Sequence, residues 1–142
     1  MTNIRVFTAD WHKDNADIRR IRETIFIKEQ GVTPEQEWDS DDSGATHFLA
    51  CEGEYAIGTA RLLPNGCIGR VAVLRDWRGQ GIGQLLMQAA IAEAERQGMN
   101  KQTLTAQAHA AGFYQRLGFE IISEEFIEAG IPHIEMQRRS PV

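Results

Sequence analysis

The sequence predicts a mixed α/β domain with a central, largely antiparallel sheet. Three strand-like segments separated by short turns occupy residues 47–74, and a long amphipathic helix and another strand follow them. Strands joined by tight turns pair antiparallel, whereas a strand, a helix and a strand in succession form a crossover with parallel strands. The chain has 142 residues, enough for one core, so we expect a single domain over 1–142.

The amino-terminal part predicts a strand, a helix and an acidic loop. Residues 4–8 alternate apolar and polar side chains like a strand, and Asp14 or Asn15 can cap a helix that ends at Gly31. The apolar side chains of this helix fall on one face: Ile18, Ile21, Ile25 and Phe26. Residues 33–44 are polar and acidic, which indicates a loop with room for a short helix.

The remaining elements follow from turn residues and periodicity. Turns at Gly53-Glu54 and Pro64-Asn65-Gly66 separate three adjacent antiparallel strands, which we expect at 47–52, 55–63 and 67–74. The long helix spans about 79–97, and Gly98 closes it. We expect a short helix at 109–117 and further strands at 101–106, 119–126 and 131–137.

Composition and charge argue against several classes of function. The formal net charge of −5 gives no basic face for nucleic acid, and no apolar run is long enough to span a membrane. The first residues lack a secretory signal, so we expect a cytoplasmic protein. The histidines and cysteines show no metal-binding spacing, so we predict no metal site and two reduced, buried thiols at Cys51 and Cys67.

The segment 75–83 is a candidate phosphate site because it joins a strand to the long helix. The first amides of a helix lack intrahelical partners and lie at the positive end of its dipole, which suits a phosphate. Gly81 and Gly83 leave room for close approach, and Arg78, with Arg75, adds positive charge. Dinucleotide and Walker-type loops do not fit, because position 84 is glutamine and no Gly-Lys-Ser/Thr is present. A turn that only packs the helix against the strand is the alternative.

Two motifs in order carry a family resemblance. The first is Arg78-x-x-Gly81-x-Gly83 at the start of the long helix. The second is Leu-Thr-Ala-Gln at 104–107 followed by Ala-Ala-Gly-Phe-Tyr-Gln-Arg-Leu-Gly-Phe at 110–119. Together they resemble the coenzyme-binding segments of the GNAT family of N-acetyltransferases. Residues 26–32 and 130–133 are similar to a branch of that family whose members mostly lack an assigned substrate, so the resemblance covers nearly the whole chain.

The resemblance implies a GNAT-like fold, with a twisted sheet flanked by about four helices and splayed where acetyl-coenzyme A inserts. It also implies that the backbone of Val71, Ala72 and Val73 pairs with the pantetheine arm. Amides of 78–83 would hold the pyrophosphate, and the helix carrying Tyr114 would flank the cofactor. The cofactor-binding residues expected on this basis are Val71, Ala72, Val73, Arg78, Gly79, Gln80, Gly81, Ile82, Gly83, Gln107 and Tyr114.

The implied reaction is direct transfer of the acetyl group to a primary amine of a small molecule or peptide, without an acetyl-enzyme. A backbone N–H near Val73 would polarise the thioester carbonyl, and Tyr114 would protonate the departing sulfur. The alternative for Tyr114 is a half-buried ring that packs beside Phe113 and Phe119.

The acceptor pocket is less well defined by the sequence. The candidates for acceptor binding or for the base are Glu29, Glu37 and Asp39, with His133 and Glu135 from the last strands. Solvated acidic side chains, with water as the base, are the alternative. The acidic loop favours a small cationic amine, or a peptide that offers a lysine or its amino terminus.

Two rival classes of function stay open on the sequence alone. One is a non-catalytic module that binds acetyl-coenzyme A as a sensor or a structural ligand. The other is a protein-interaction domain without a cofactor, in which the glycine-rich turn is purely structural. A homodimer is compatible with the resemblance, but no feature of the sequence locates an interface.

Overall fold

Eight strands and four α-helices form the part of the chain that the computed structural model describes, residues 3–141. The strands are β1 (Ile4–Ala9), β2 (Thr46–Glu52), β3 (Tyr55–Leu62), β4 (Ile68–Val73), β5 (Lys101–Gln107), β6 (Glu120–Ile121), β7 (Phe126–Glu128) and β8 (Ile131–Arg139). The helices are α1 (Trp11–Arg22), α2 (Pro34–Glu37), α3 (Ile82–Arg96) and α4 (Ala111–Gln115). A π-helical segment at Glu23–Glu29 continues α1, and 3₁₀ turns lie at Ser40–Gly44, Arg75–Trp77 and Ala108–Ala110. The ends of the predicted domain, Met1, Thr2 and Val142, lie outside the described residues.

The strands form two four-stranded antiparallel sheets that meet at one point. The first sheet has the order β1-β2-β3-β4, and in the second β8 lies between β5 and β6 and also pairs with β7. A parallel bridge between Cys67 and Thr103 connects the two sheets. With α3 as the crossover from β4 to β5, this arrangement confirms the predicted mixed α/β fold with a largely antiparallel sheet.

The first sheet is buried on both faces because α1 packs on one face and α3 on the other. Along β2, Phe48 and Ala50 join the core beneath α3, whereas Leu49 and Cys51 join the core beneath α1. This alternation follows from the two-residue period of a strand. Because both faces are covered, β2 and β3 read in the sequence as nearly continuous apolar runs.

Gly66 fixes the point where the two sheets meet. Its φ is +90°, and a Cβ at this position would lie 2.4 Å from the carbonyl oxygen of Lys101, so any larger residue would collide with β5. The Gly66 carbonyl also accepts a hydrogen bond from the Thr103 N–H at 3.1 Å. The start of β5 is therefore held against the β3–β4 turn.

Some predicted helix boundaries were wrong. The cap of α1 is Asp10, not Asp14 or Asn15, because the Asp10 carboxylate accepts from the N–H of His12 at 2.9 Å. The long helix begins at Ile82 instead of residue 79, because the glycines at 79 and 81 both adopt a φ of +80°, which is incompatible with a right-handed helix. Among residues 3–141, no helix has the length and apolar character needed to cross a membrane.

The predicted strand at 119–126 was also wrong, because two shorter strands occupy that stretch. β6 pairs with β8 opposite Met136 and Gln137, and β7 pairs with the beginning of β8. Between them the chain leaves the ladder, although the Ile122 N–H still donates to the carbonyl of Glu135 at 2.9 Å and the Ser123 hydroxyl accepts from the Glu135 N–H at 2.8 Å. The β7–β8 turn therefore stands as a separate hairpin near the end of β5.

Candidate active site

The candidate site is a cavity of about 770 Å³ in the gap between β4 and β5. The two strands are joined only by the bridge at their start, so their facing edges, within residues 67–71 and 104–107, line the cavity. The π-helical segment, α2, α4 and the β7–β8 hairpin supply further walls, and β3 and α3 contribute one residue each. These residues include Phe26, Gln36, Glu37, Arg61, Met87, Tyr114, Glu128 and His133. The splay of the sheet that the resemblance implied is confirmed.

A bulge in β4 forms part of this cavity wall. Two residues of β4, Arg70 and Val71, stand opposite one residue of β3, Ala60, because the pairing register shifts by one there. Arg70 has a φ of +51°, a left-handed conformation that costs a residue with a side chain about 1–2 kcal/mol. Glycine would occupy this position without that cost, so the strain points to a use for the Arg70 side chain.

Val73 directs its backbone polar groups away from β3. The N–H of Leu74 donates to the carbonyl of Ile57 at 2.8 Å, so the alternation of an antiparallel pair turns the N–H and C=O of Val73 to the opposite edge. There the Val73 carbonyl accepts from Nε of Arg78 at 2.8 Å. The Val73 N–H lies on the open edge of β4, where an extended ligand chain can pair with it.

The first amides of α3 have no side-chain cap. Gly81 is the residue before the helix, no side chain of residues 3–141 caps the helix start, and the first turn holds no acidic residue. A Cβ at Gly79 or Gly81 would meet no atom within 4 Å, so the turn borders open space. The amides that open α3 are therefore available to an anion such as a pyrophosphate.

Arg78 is paired instead of free. Its Nη1 and Nη2 donate to the two carboxylate oxygens of Glu29 at 2.7 and 3.0 Å, which ties the glycine-rich turn to the end of the π-helical segment. The hydrogen bond from Arg78 lowers the pKa of Glu29 below its ordinary value. The positive charge that we expected Arg78 to supply is neutralised by Glu29. Glu29 itself, expected in the acceptor pocket, does not line the cavity.

Tyr114 lines the cavity from α4. Its ring packs edge-on against Phe113 and Phe119, with centroid distances of 5.0 and 6.3 Å. The Tyr114 ring therefore packs beside the two phenylalanines, as the alternative interpretation expected, and the same side chain also lines the cavity. Burial raises the pKa of the Tyr114 hydroxyl, so the group keeps its proton at neutral pH and can donate it.

His133 lines the cavity from β8, opposite Gln107 of β5. Its Nδ1 lies 2.7 Å from the carbonyl oxygen of Ile131, which can only accept, so Nδ1 carries the proton in the neutral ring. Nε2 then keeps a lone pair, and the Glu128 carboxylate lies 3.9 Å from it. A neutral imidazole in this tautomer can take a proton from an amine.

Six charged side chains form a cluster at one end of the cavity, which we call the arginine–acid cluster: Arg22, Arg61, Arg70, Glu37, Asp39 and Asp42. Arg22 is bonded to Glu37 at 2.5 Å and to Asp42 at 2.7 Å. Arg61 contacts Asp39 at 2.9 Å and Asp42 at 3.0 Å. Burial by itself would raise the pKa of Asp42, but hydrogen bonds from Arg22 and Arg61 hold it below its ordinary value. The cluster carries three charges of each sign.

The cluster changes the interpretation of the acidic loop. Glu37 lines the cavity, as expected of an acceptor-binding residue, but it is only 2% exposed and its carboxylate contacts Arg22 and Arg70. Asp39 does not line the cavity, and its two oxygens contact Arg61 and Arg70. Neither carboxylate is free to attract a cationic amine.

The three arginines of the cluster were missed by sequence reasoning. Arg22 follows Ile18 by four residues and precedes Ile25 by three, a spacing that places it on the apolar face of α1. Arg61 interrupts the apolar run of β3 in the same way. A charged residue at a position that should be buried predicts a buried partner, and this signal could have revealed both.

The remaining expected site residues divide into two groups. Val71, Gln107 and Tyr114 line the cavity, whereas Ala72 packs its side chain into the core beneath α1. Val73 and residues 78–83 lie beyond the cavity, at the carboxyl end of β4 and the start of α3. Of the two free thiols, Cys51 is buried as predicted and Cys67 is only half-buried, because it borders the cavity.

The comparisons with known proteins identify the family. A family model described as an acetyltransferase (GNAT) domain matches residues 18–140. The chain belongs to the GNAT acetyltransferase family. It is 35% identical over 122 residues to YjcF of Bacillus subtilis, named an uncharacterized N-acetyltransferase, covering 83% of this chain and 87% of YjcF. It is also 35% identical over 128 residues to protein ElaA of Escherichia coli, covering 84% of this chain and 83% of ElaA.

Solved structures agree with this membership. The crystal structure of E. coli ElaA superposes with a TM-score of 0.85 at 29% identity, covering 98% of this chain and 100% of that one. An acyl-CoA N-acyltransferase from Pseudomonas aeruginosa superposes with a TM-score of 0.83 at 32% identity, covering 97% and 99%. Acyltransferases of this fold use an acyl-coenzyme A, and GNAT acetyltransferases act on amine acceptors. The GNAT domain is therefore an acyltransferase.

Proposed function

We propose that this GNAT domain transfers the acetyl group of acetyl-coenzyme A to a primary amine by direct attack within a complex of both substrates. The observation that carries the proposal is the gap between β4 and β5, with the open edge of β4 on one side and Tyr114 on the other. The cytoplasmic location and the homodimer, both expected in the sequence analysis, are proposed together with this activity.

The residues present fit the coenzyme. The Val73 N–H, on the edge of β4 that no strand covers, suits a pantetheine arm lying as an added strand. Uncapped amides at the start of α3, behind glycines with open space before them, suit a pyrophosphate. When bound, the coenzyme supplies an acetyl group activated as a thioester. Arg78 contributes its backbone to this site, since its side chain is held by Glu29.

Three groups of the protein would serve the reaction. A backbone N–H near Val73, on the open edge of β4, would polarise the acetyl carbonyl. His133 Nε2 takes a proton from the amine while the amine nitrogen forms a bond to the carbonyl carbon of the acetyl group. Tyr114 gives its proton to the sulfur as the carbon–sulfur bond breaks. Solvent then carries the proton held by His133 back to the Tyr114 oxygen, so both side chains return to their starting state. The products are the N-acetylated amine and the free coenzyme thiol.

The first test is thermal unfolding with and without saturating acetyl-coenzyme A, with ATP and NAD as controls. At a hundredfold excess over the dissociation constant, a selective ligand stabilises the fold by about 2.7 kcal/mol, which raises Tm by about 5–10 °C for a domain of this size. We expect that rise with acetyl-coenzyme A alone. An equal rise with ATP, or none with any ligand, would contradict the proposal.

A charged substitution in the glycine-rich turn tests the placement of the pyrophosphate. Gly81→Glu should abolish the stabilisation by acetyl-coenzyme A, because a carboxylate would stand before the amides that bind the phosphates. The matched control is Gly98→Glu at the other end of α3, since Gly98 has a φ of +83° and the same open surroundings. The two variants carry the same backbone strain, so binding retained by both would refute the placement.

A further inference from the structure

We propose that the amine acceptor carries a carboxylate, and that Arg70 and Arg61 bind this carboxylate in the cavity. The inference rests on the proposed function, because it names the class of substrate for the same site. It also reverses the expectation of a cationic acceptor that the acidic loop suggested.

The carboxylates of the arginine–acid cluster are already occupied. Glu37 accepts from Arg22 at 2.5 Å and lies 3.2 Å from Nε of Arg70. One oxygen of Asp39 accepts from Arg61 at 2.9 Å, and the other accepts from Arg70 at 3.3 Å. A cationic amine would have to displace one of these arginines, so Glu37 and Asp39 offer no free carboxylate to a cationic acceptor.

The guanidinium groups, in contrast, keep donors to spare. Arg61 uses Nη1 for both of its ion pairs. Its Nε is buried and has no hydrogen-bond partner within the described part of the chain, and the side chain is only 7% exposed. The three hydrogen bonds of Arg70 all use Nη2 and are long, at 3.2 to 3.4 Å. Neither Nη2 of Arg61 nor Nη1 of Arg70 takes part in a hydrogen bond among residues 3–141.

Both of these side chains line the same cavity as Tyr114 and His133. Two guanidinium groups with unused N–H groups at one end of a cavity suit a planar anion that accepts several hydrogen bonds, which describes a carboxylate. Arg61 and Arg70 both contact Asp39, which holds the two groups near one another. The bulge keeps Arg70 in place at the cost of a left-handed backbone, next to Val71 on the open edge of β4.

The experiment compares amines that differ only in the carboxylate. Glycine and each L-amino acid with a primary amine is assayed beside its carboxamide, with spermidine and a lysine-containing peptide as cationic acceptors. The assay follows release of coenzyme A and the mass of the product. We expect at least one amino acid to be used with a kcat/KM at least tenfold above that of its carboxamide. That amino acid should also raise Tm further when coenzyme A is bound, whereas its carboxamide should not.

Arg70→Asn removes the guanidinium and keeps the backbone, because asparagine tolerates a positive φ better than most residues. The preference for the carboxylate should fall at least tenfold in this variant, and the additional rise in Tm should disappear, while stabilisation by acetyl-coenzyme A stays. Arg139→Asn on β8, an exposed arginine, is the control and should keep the full preference. If Arg70→Asn does not fold, Arg70→Lys serves, with an intermediate loss expected because an ammonium group keeps the charge but lacks the planar pair of donors that a guanidinium offers to a carboxylate.

Several results would overturn the inference. Carboxamides or spermidine used as well as the amino acids would show that no carboxylate is recognised, and would leave the proposed acetyltransferase activity standing. An unchanged preference in Arg70→Asn would remove Arg70 from recognition. No acetylation of any amino acid, despite stabilisation by acetyl-coenzyme A, would refute the inference alone. Absence of that stabilisation as well would refute the proposed function with it.

Discussion

The arginine–acid cluster predicts a large loss of stability when Arg22 is replaced. The side chain of Arg22 is only 1% exposed and makes three hydrogen bonds, to the carboxylate of Glu37 at 2.5 Å, to Asp42 at 2.7 Å and to the Glu37 carbonyl at 2.9 Å. Arg22→Met keeps most of the volume and removes all three bonds, so two buried carboxylates lose a counter-charge.

The size of the stability loss depends on the arginine contacts that Glu37 and Asp42 retain in Arg22→Met. Removing one partner of a buried ion pair costs about 3–5 kcal/mol. Asp42 would retain Arg61 at 3.0 Å, and Glu37 would retain Arg70 at 3.2 Å, so we expect the lower end, about 3 kcal/mol. For a chain of this length, that corresponds to a fall in Tm of about 10 °C.

The assay is thermal and urea unfolding followed by circular dichroism, with Lys13→Met as the matched control. Lys13 lies on the same helix and is exposed, so its replacement should change the free energy of unfolding by less than about 0.5 kcal/mol. If Arg22→Met lowered Tm by no more than the control does, the ion pairs would not stabilise the fold and the reasoning about buried charge would be wrong.

Three further predictions concern the site and the pH dependence. Tyr114→Phe should lower kcat at least tenfold and leave the acetyl-coenzyme A dissociation constant within about twofold, because only the hydroxyl is lost; an unchanged kcat would exclude Tyr114 as the acid, and unaltered binding without any turnover in the parent enzyme would favour a sensor. The Cys67 thiol borders the cavity, but direct attack uses no cysteine, so Cys67→Ser should keep kcat/KM within about threefold. Complete loss of activity in a folded variant would indicate an acyl-enzyme. Burial lowers the pKa of His47, so the unfolded chain binds a proton more readily and the free energy of unfolding should fall as the pH drops below about 6.5; equal urea midpoints at pH 7.5 and 5.5 would contradict this.

Local signals in the sequence located most of the elements and erred at specific ends. The turn at Pro64-Asn65-Gly66 and the periodicity of α3 placed β3, β4 and the crossover helix correctly. The predicted start of α3 was three residues too early. The sequence does not reveal the backbone conformation of Gly79 and Gly81, and their φ of +80° excludes both from a right-handed helix. The stretch 119–126 reads as one strand, yet pairing with β8 exists only at its two ends.

In the candidate site, too, local motifs were found from the sequence, whereas contacts between distant residues were not. Motif order indicated the glycine-rich turn and Tyr114, because a phosphate-binding helix start and its following segments are local in sequence. The pairing of Glu29 with Arg78 joins residues 49 positions apart, and no spacing rule predicts it. The acidic loop likewise looked free, although three of its five carboxylates, those of Glu37, Asp39 and Asp42, are bound by arginines from α1, β3 and β4.

By itself the sequence determined the fold class, the family and the position of the glycine-rich turn, since these depend on periodicity and on motifs within short segments. Only the tertiary structure decided which charges are free. The two sheets part after the Cys67–Thr103 bridge, which opens the cavity. The packing of α1 and α2 against β3 and β4 pairs Glu37, Asp39 and Asp42 with arginines. Charge at a site is a sum over residues distant in the chain, so the arginines that face the cavity could not be counted from the sequence.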